Sequence, residues 1–192
     1  MKPDLILLGG DYITSGKRNI KTIFRELSKL TAKHGVYGVI GNHDYDVSKD
    51  LVLRAMAENG IMSLDNKSYW LNNYNDRIKI GGVSEYLYDK PDILPTVFDT
   101  EDDDYVILVA HNPDYAEKIP RNKINLMFSG HTHGGQITFL GLYAPYVPSG
   151  YGQKYRSGRK YVNGTDVIIS NGLGVIGLPL RFFARPQIVV AE

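Results

Sequence analysis

The sequence predicts an α/β fold that grades into α+β, and three observations predict it. Apolar runs such as Leu5-Ile6-Leu7-Leu8 stop abruptly at glycine, as strands buried on both faces do. Helical stripes of apolar residues follow the first two runs. From residue 61 onward the chain changes to short β-like pieces separated by Asn and Asp turns.

Composition sets the outer bounds. A chain of 192 residues holds one domain with a sizeable core, so a single domain over 1–192 is expected. Lys and Arg total 22 against 21 for Asp and Glu, a balance that creates no field for nucleic acid or an anionic membrane. Cysteine is absent, which excludes disulfides, a thiolate nucleophile and Cys-ligated metal, and leaves oxygen and imidazole as ligands. No apolar run reaches the roughly 18 to 20 residues of a membrane span, and Met1-Lys2-Pro3-Asp4 lacks the apolar core of a signal peptide. As given, the chain reads as soluble.

The first strand runs to Leu8, and Asp11 stands just past its carboxyl end, where α/β sheets gather ligands; the alternative is a turn-capping Asp. A helix is expected over 19–33 from Ile20, Ile23, Phe24, Leu27 and Leu30, with Asn19 as N-cap and His34 in a structural place in its last turn. A second strand, 36–40, leads into Gly41-Asn42-His43-Asp44. There Asn offers a neutral carbonyl ligand, His a proton, and an adjacent Asp an orienting partner; an ordinary polar turn is the bland alternative. Ser48 caps a helix through Asn59. Short strands follow at 61–64, 69–71 and 77–80, and the acidic run 101–104 reads as a solvated loop.

A buried strand over 105–110 ends at His111-Asn112-Pro113-Asp114, with a short helix over 113–118. Another strand, 124–128, leads to Gly130-His131-Thr132-His133-Gly134-Gly135-Gln136. If that segment is extended, its two imidazoles point to one face, and the flanking glycines admit close approach. Residues 141–161 interleave Tyr with Lys and Arg, as either a plain surface loop or one that greets a phosphate or a base. The end is β at 166–170 and 187–191, and Arg181 and Arg185 either pair locally or face the site.

Four of the five histidines, namely His43, His111, His131 and His133, directly follow strand-like runs, as do Asp11 and Asn42. Core histidines would scatter, so the pattern favours one shared polar site. Asp, Asn and neutral His suit Mn, Fe or Zn better than Ca. Such a set fits metal-assisted hydrolysis, in which two ions about 3.5 to 4 Å apart activate a shared water for in-line attack on phosphorus.

The order GGD (9–11), GNHD (41–44), AHNPD (110–114) and GHTHGGQ (130–136) resembles the calcineurin-like metallophosphoesterase family, over nearly the whole chain. Segments within 148–190, including Leu-Pro-Leu-Arg-Phe and Arg-Pro-Gln, resemble its bacterial branch of membrane-associated phosphohydrolases and phosphodiesterases. The resemblance implies a four-layer αββα sandwich. It implies that Asp11 bridges two metal ions, that Asn42, His111 and His131 complete one site, and that His133 belongs to the other. It gives His43 to the phosphate and leaving group, with Asp44 orienting it. The implied substrate is a phosphoester or diphosphate, lipid-linked or nucleotide, with no specific nucleic-acid partner.

One departure stands out. The family begins with a strand carrying Asp-x-His, and no Asp-x-His occurs here. The resemblance therefore leads us to expect an N-terminally truncated domain with its first strand missing, one complete metal site, and impaired activity. Membrane association would then come only through a segment upstream. A non-catalytic metal-binding scaffold on the same fold is the alternative.

Overall fold

The structure, a computed structural model, describes residues 2–14, 16–73 and 76–192. A parallel sheet has the order β1 (Ile6–Leu8), β2 (Val36–Gly38), β3 (Ile61–Ser63). Two helices between its strands, α1 (Ile20–Leu27) and α3 (Lys49–Glu58), cover its outer face. A second sheet of six strands runs β4 (Lys67–Asn73), β5 (Asp76–Gly82), β6 (Tyr105–Val109), β7 (Leu126–Ser129), β9 (Thr165–Ile169), β8 (Gly158–Val162). Its four central strands are parallel, and the edge strands β4 and β8 are antiparallel to their neighbours.

Strand alternation builds the layers. On β1, Ile6 and Leu8 face the helices while Leu5 and Leu7 face the other sheet. On β6, Ile107 and Val109 point between the sheets, and Val106 and Leu108 point outward. The outward face of the second sheet is covered by the 3₁₀ helix Pro113–Lys118, by α4 (Leu94–Val97), and by Tyr155 from the loop beyond. The result is a four-layer sandwich, as the resemblance implies, with the mixed α/β order that the sequence pattern predicts. Phe24 on α1 is fully buried, worth about 1.5 to 3 kcal/mol of apolar transfer.

Several elements differ from expectation. The helix expected over 19–33 ends at Leu27, and Asn19 makes no side-chain cap. His34 thus lies beyond the helix, where its backbone N–H donates to the Asp4 carbonyl at 2.7 Å. Gly41-Asn42-His43-Asp44 is more than a polar turn: Gly41 caps a short helix, α2 (Asn42–Val47). Residues 158–162, inside the Tyr-rich stretch, form β8. Residues 187–191 do not form a strand; Ile188 is 76% exposed, and an apolar run without a neighbouring edge finds no ladder. Among the described residues, no helix is long and apolar enough to cross a membrane.

Candidate metal centre

The parallel register levels the strand ends on one side of the sandwich. Leu8 pairs with Gly38, so Gly9-Gly10-Asp11 emerges beside Val39-Ile40-Gly41-Asn42. Val109 pairs with Phe128, so His111 emerges beside Gly130-His131. The Gly130 N–H and the Ser129 hydroxyl both donate to the His111 carbonyl, at 3.0 and 2.9 Å, and tie those two ends together.

Four predicted residues converge. His111 Nε2 lies 3.2 Å from Asp11 Oδ2, 3.1 Å from Asn42 Oδ1 and 3.1 Å from His131 Nδ1. The opposite nitrogen, Nδ1, donates to the Gly9 carbonyl at 2.7 Å. That bond fixes the neutral tautomer with the Nε2 lone pair turned toward a carboxylate, an amide oxygen and a second imidazole. Lone pairs so crowded are stable only around positive charge, either a proton or a metal cation. Donor atoms of Asp11, His111 and His131 all lie within 4.8 Å of one another. The residues present therefore fit a divalent cation with oxygen and nitrogen ligands.

Protonation follows the same logic. Burial pushes Asp11 upward, but the His111 charge and hydrogen bond outweigh it and hold the carboxyl at about 2. Burial drives His131 down, reinforced by the His111 charge, to about 4. Burial disfavours charge on His111, yet Asp11 and the Gly9 carbonyl raise its pKa overall.

Close approach demands glycine twice. A Cβ on Gly41 would sit 2.2 Å from Asp11 Oδ1 and 2.6 Å from the His111 ring. Gly10 has φ 88°, and its Cβ would meet the Gly41 nitrogen at 2.6 Å. Asp11, His131 and His133 themselves adopt positive φ, at 56°, 65° and 52°.

The other predicted residues are placed differently. The two imidazoles of His131 and His133 do not share one place, because the segment is not extended: His133 opens a 3₁₀ turn, His133–Gly135. His133 lies outside the compact cluster, and its Nδ1 faces the Arg181 guanidinium at 3.4 Å. The His43 backbone N–H donates to Asp11 Oδ1 at 2.9 Å, which sets the residue beside the cluster. Asp44 is buried, accepting from the backbone N–H groups of Asp11 (2.8 Å), Gly41 (2.9 Å) and Ile13 (3.3 Å). Burial above all pushes Asp44 up to about 6. The carboxylate facing the His43 ring is not Asp44: Asp46 Oδ2 lies 3.3 Å from Nδ1.

Two neighbours of the cluster, Asp46 and Glu85, were not drawn from the sequence, and a third, Arg181, was left open there. Asp46 was missed because its spacing from His43 has meaning only on a helix. Glu85 is 1% exposed; its Oε2 accepts from Leu87 and Tyr88 N–H at 2.5 and 2.9 Å, and Oε1 has no protein partner. Arg181 both pairs locally and faces the site: it donates to the carbonyls of His133, Asn171 and Ala184 at 3.0, 2.7 and 3.0 Å, locking the 130–136 loop to the C-terminal segment. In the stretch 141–161, Lys154 pairs with Glu117, Arg156 donates to the Gly134 and Gly141 carbonyls, and Arg159 pairs with Asp166. These three cations are engaged within the fold, so the stretch supports the histidine loop from behind.

Comparison with known proteins places the chain in a family. The calcineurin-like phosphoesterase family matches residues 1–135. The chain is 34% identical to the Bacillus subtilis protein named uncharacterized metallophosphoesterase YkuE, over 98% of this chain and 67% of that protein. It is 28% identical to the Escherichia coli phosphodiesterase YaeI, over 100% of this chain and 70% of that one. The Haemophilus influenzae NAD nucleotidase NadN shares the fold, with TM-score 0.56 and 18% identity over 88% of this chain and 40% of that one. The chain spans about two thirds of the length of some curated relatives and 50% of others. With Asp11, Asn42, His111 and His131 drawn together at the ends of four parallel strands, and with that match over 1–135, the chain belongs to the calcineurin-like phosphoesterase family.

Proposed function

We propose that the chain is a metal-dependent phosphoester hydrolase of phosphodiesterase or pyrophosphatase type. The observation that carries this is the meeting of four lone-pair donors from two sheets, with the His43 backbone bonded to the same Asp11 carboxylate. Asp11, Asn42, His111 and His131 would hold a Mn, Fe or Zn ion, which when bound lowers the pKa of its water and neutralises charge on phosphoryl oxygens. Asp11 and Asn42 supply a charged and a neutral oxygen donor, a mixture that leaves net positive charge for an anionic substrate. The Gly9 carbonyl accepts from His111 Nδ1, so that in the neutral ring the lone pair lies on Nε2, the nitrogen turned to the other donors. His43 contacts the phosphate and hands a proton to the departing oxygen. Asp44 acts on the backbone, pinning the Asp11 and Gly41 loops so that the donors keep their spacing.

Asp11 bridging a second ion through His133 is the family's expected arrangement; we propose one strong metal site in this chain, since His133 stands apart from the cluster. The substrate is a phosphoester or diphosphate, with lipid-linked and nucleotide forms both within the class. Hydrolysis of an aryl phosphodiester with added manganese is expected for the protein and is expected to fall at least about a hundredfold in His43→Ala. Equal rates in the two proteins would refute the role of His43.

A non-catalytic metal-binding scaffold is the second reading, favoured by the His133 ring being turned to Arg181. Bound metal with no turnover above free manganese would favour it. Metal analysis of the purified protein is expected to give about one tightly held ion per chain, and two would overturn the count.

A further inference from the structure

We infer that the turn 139–143 and the segment 173–183 form an apolar lip beside the metal centre that docks on the surface of an anionic lipid bilayer. The turn is tight: the Phe139 N–H donates to the Tyr143 carbonyl at 2.7 Å, and the Leu142 N–H to the Phe139 carbonyl at 2.9 Å. At its tip Leu140 and Leu142 are 72 and 80% exposed. The second segment lies against it, since Ile137 forms β-bridges with Phe182 and Phe183, and the Thr138 N–H donates to the Phe182 carbonyl at 2.9 Å. Leu178, Leu180, Phe182 and Phe183 are each more than half exposed. Both pieces are tied to the histidine loop. Gln136 Nε2 donates to the Ile176 and Leu178 carbonyls at 2.9 and 3.1 Å, and Arg181 holds the His133 carbonyl at 3.0 Å.

Single exposed leucines are ordinary on a protein surface, but a contiguous apolar patch marks a place that a partner covers. Backbone conformation sharpens the contrast here. Leu140 and Phe183 have φ of 52° and 54°, the left-handed state that favours glycine or asparagine, yet both positions carry large apolar side chains into solvent.

Shape and charge select a bilayer as the partner. The side chains project from turns, and a fluid acyl layer closes around a projecting leucine where a second protein would need a matching pocket. Asp166 is the sole acidic residue between Ile119 and Ala191, and it pairs with Arg159 at 2.7 Å. The balanced charge of the whole chain therefore conceals a basic C-terminal part. Arg156 donates to the Gly141 carbonyl at 2.7 Å, at the root of the turn, and Arg185 follows Phe183 by two residues, so cationic groups accompany the lip as anionic headgroups require. Tyr143 and Tyr146, also more than half exposed, add rings with one polar end, suited to the boundary between headgroups and acyl chains. Docking by this lip sets the metal centre at the membrane surface, where the phosphoester taken would be a lipid-linked one. That consequence rests on the hydrolase reading; the docking does not.

Co-sedimentation of the full chain with vesicles of phosphatidylglycerol and phosphatidylcholine, compared with phosphatidylcholine alone, tests the proposal. Binding to the mixed vesicles is expected to be at least about tenfold stronger, and to weaken as salt rises from roughly 0.1 to 0.5 M. Leu140→Asn combined with Leu142→Ser should weaken it about tenfold or more. Asparagine suits the backbone at 140, so the double variant should melt no lower than the unaltered protein and hydrolyse a soluble aryl phosphodiester at the same rate. Tyr161→Ser, at an exposed aromatic position on β8 outside both segments, should leave binding unchanged. Absence of binding to the anionic vesicles, or binding that survives the double substitution, overturns the proposal. So does a concentration-dependent dimer, seen by light scattering without lipid and dissolved by the same substitutions, because a second copy would then be what covers the lip. If no ester is hydrolysed above the metal background, the hydrolase reading fails, and vesicle binding still decides the docking.

Discussion

A single methyl group separates this centre from a broken one. Gly41 has an ordinary extended φ of −104°, so alanine there is conformationally permitted, and the damage would come from contact alone. With its Cβ 2.2 Å from Asp11 Oδ1, Gly41→Ala must displace the carboxylate. We expect at least about a tenfold loss of manganese affinity by calorimetry, and about 1 to 3 kcal/mol of lost stability from overpacking. His131 offers a contrasting test. Its φ of 65° suits asparagine better than alanine, so His131→Asn should unfold less readily than His131→Ala while both lose metal affinity. Melting curves with and without manganese separate the two effects.

Asp89 gives a residue-scale prediction in pH. Hydrogen bonds from Lys49 first, then Tyr45, hold its carboxyl at about 2, below the ordinary value of 3.8. A depressed carboxylate contributes stability that is complete above the unfolded pKa and is lost as pH falls through the folded one. With a side chain 28% exposed, the contribution is about 1 kcal/mol after solvent screening. The stability gap between the protein and Asp89→Asn, measured in urea, should therefore be wider at pH 6 than at pH 3.

At the scale of elements, the loops after the parallel strands carry the candidate metal ligands and other loops hold them in place. Asp114 is buried at the start of the 3₁₀ helix 113–118, accepting from the Ser149 hydroxyl at 2.5 Å and the Gly150 N–H at 2.7 Å. Beyond it, Arg156 reaches the Gly134 carbonyl and Thr132 donates to the Arg156 carbonyl at 2.8 Å. Asp114→Ala should loosen this bracket before it unfolds the domain. Limited proteolysis is expected to cut between about 145 and 152 several times faster than in the unaltered protein. Unchanged cleavage would show that the bracket rests on other contacts.

The strand-to-loop junctions were legible because glycine and polar residues interrupt apolar runs at the same end every time. Asp11, Asn42, His43, His111, His131 and His133 could be grouped on that basis, and the family resemblance singled out Asp11, Asn42, His111 and His131 as the set for one site. What escaped were relations that need three dimensions. Asp46 pairs with His43 only because Asn42–Val47 is a helix, and six residues of mostly polar sequence gave no helical period to read. Arg181 reaches His133 across 48 positions. The parting of His131 and His133 came from the family resemblance and not from their spacing, since positive φ at both residues is a backbone state that a Gly-flanked His-x-His does not announce. The strand expected at 187–191 had the right β-branched composition, but pairing belongs to the neighbour as much as to the segment.

For the whole molecule, metal should act as a stabilising ligand. A cation that binds only the folded chain adds about 2.7 kcal/mol at a hundredfold excess over its Kd. For a domain of this size that is an upward shift in Tm of roughly 5 to 11 °C, lost on adding a chelator. Calorimetric scans across a manganese series check the concentration dependence.

Two of the four donors hang from the three-stranded sheet, Asp11 after β1 and Asn42 after β2. The other two, His111 after β6 and His131 after β7, hang from the six-stranded sheet. The cation site is therefore a clasp between two halves of the molecule, and neither sheet can make it alone. Its appearance during refolding times the docking of the sheets. Stopped-flow capture of manganese should lag behind the far-ultraviolet signal of helix formation and coincide with burial of the apolar layer that contains Val39, Leu64 and Val109.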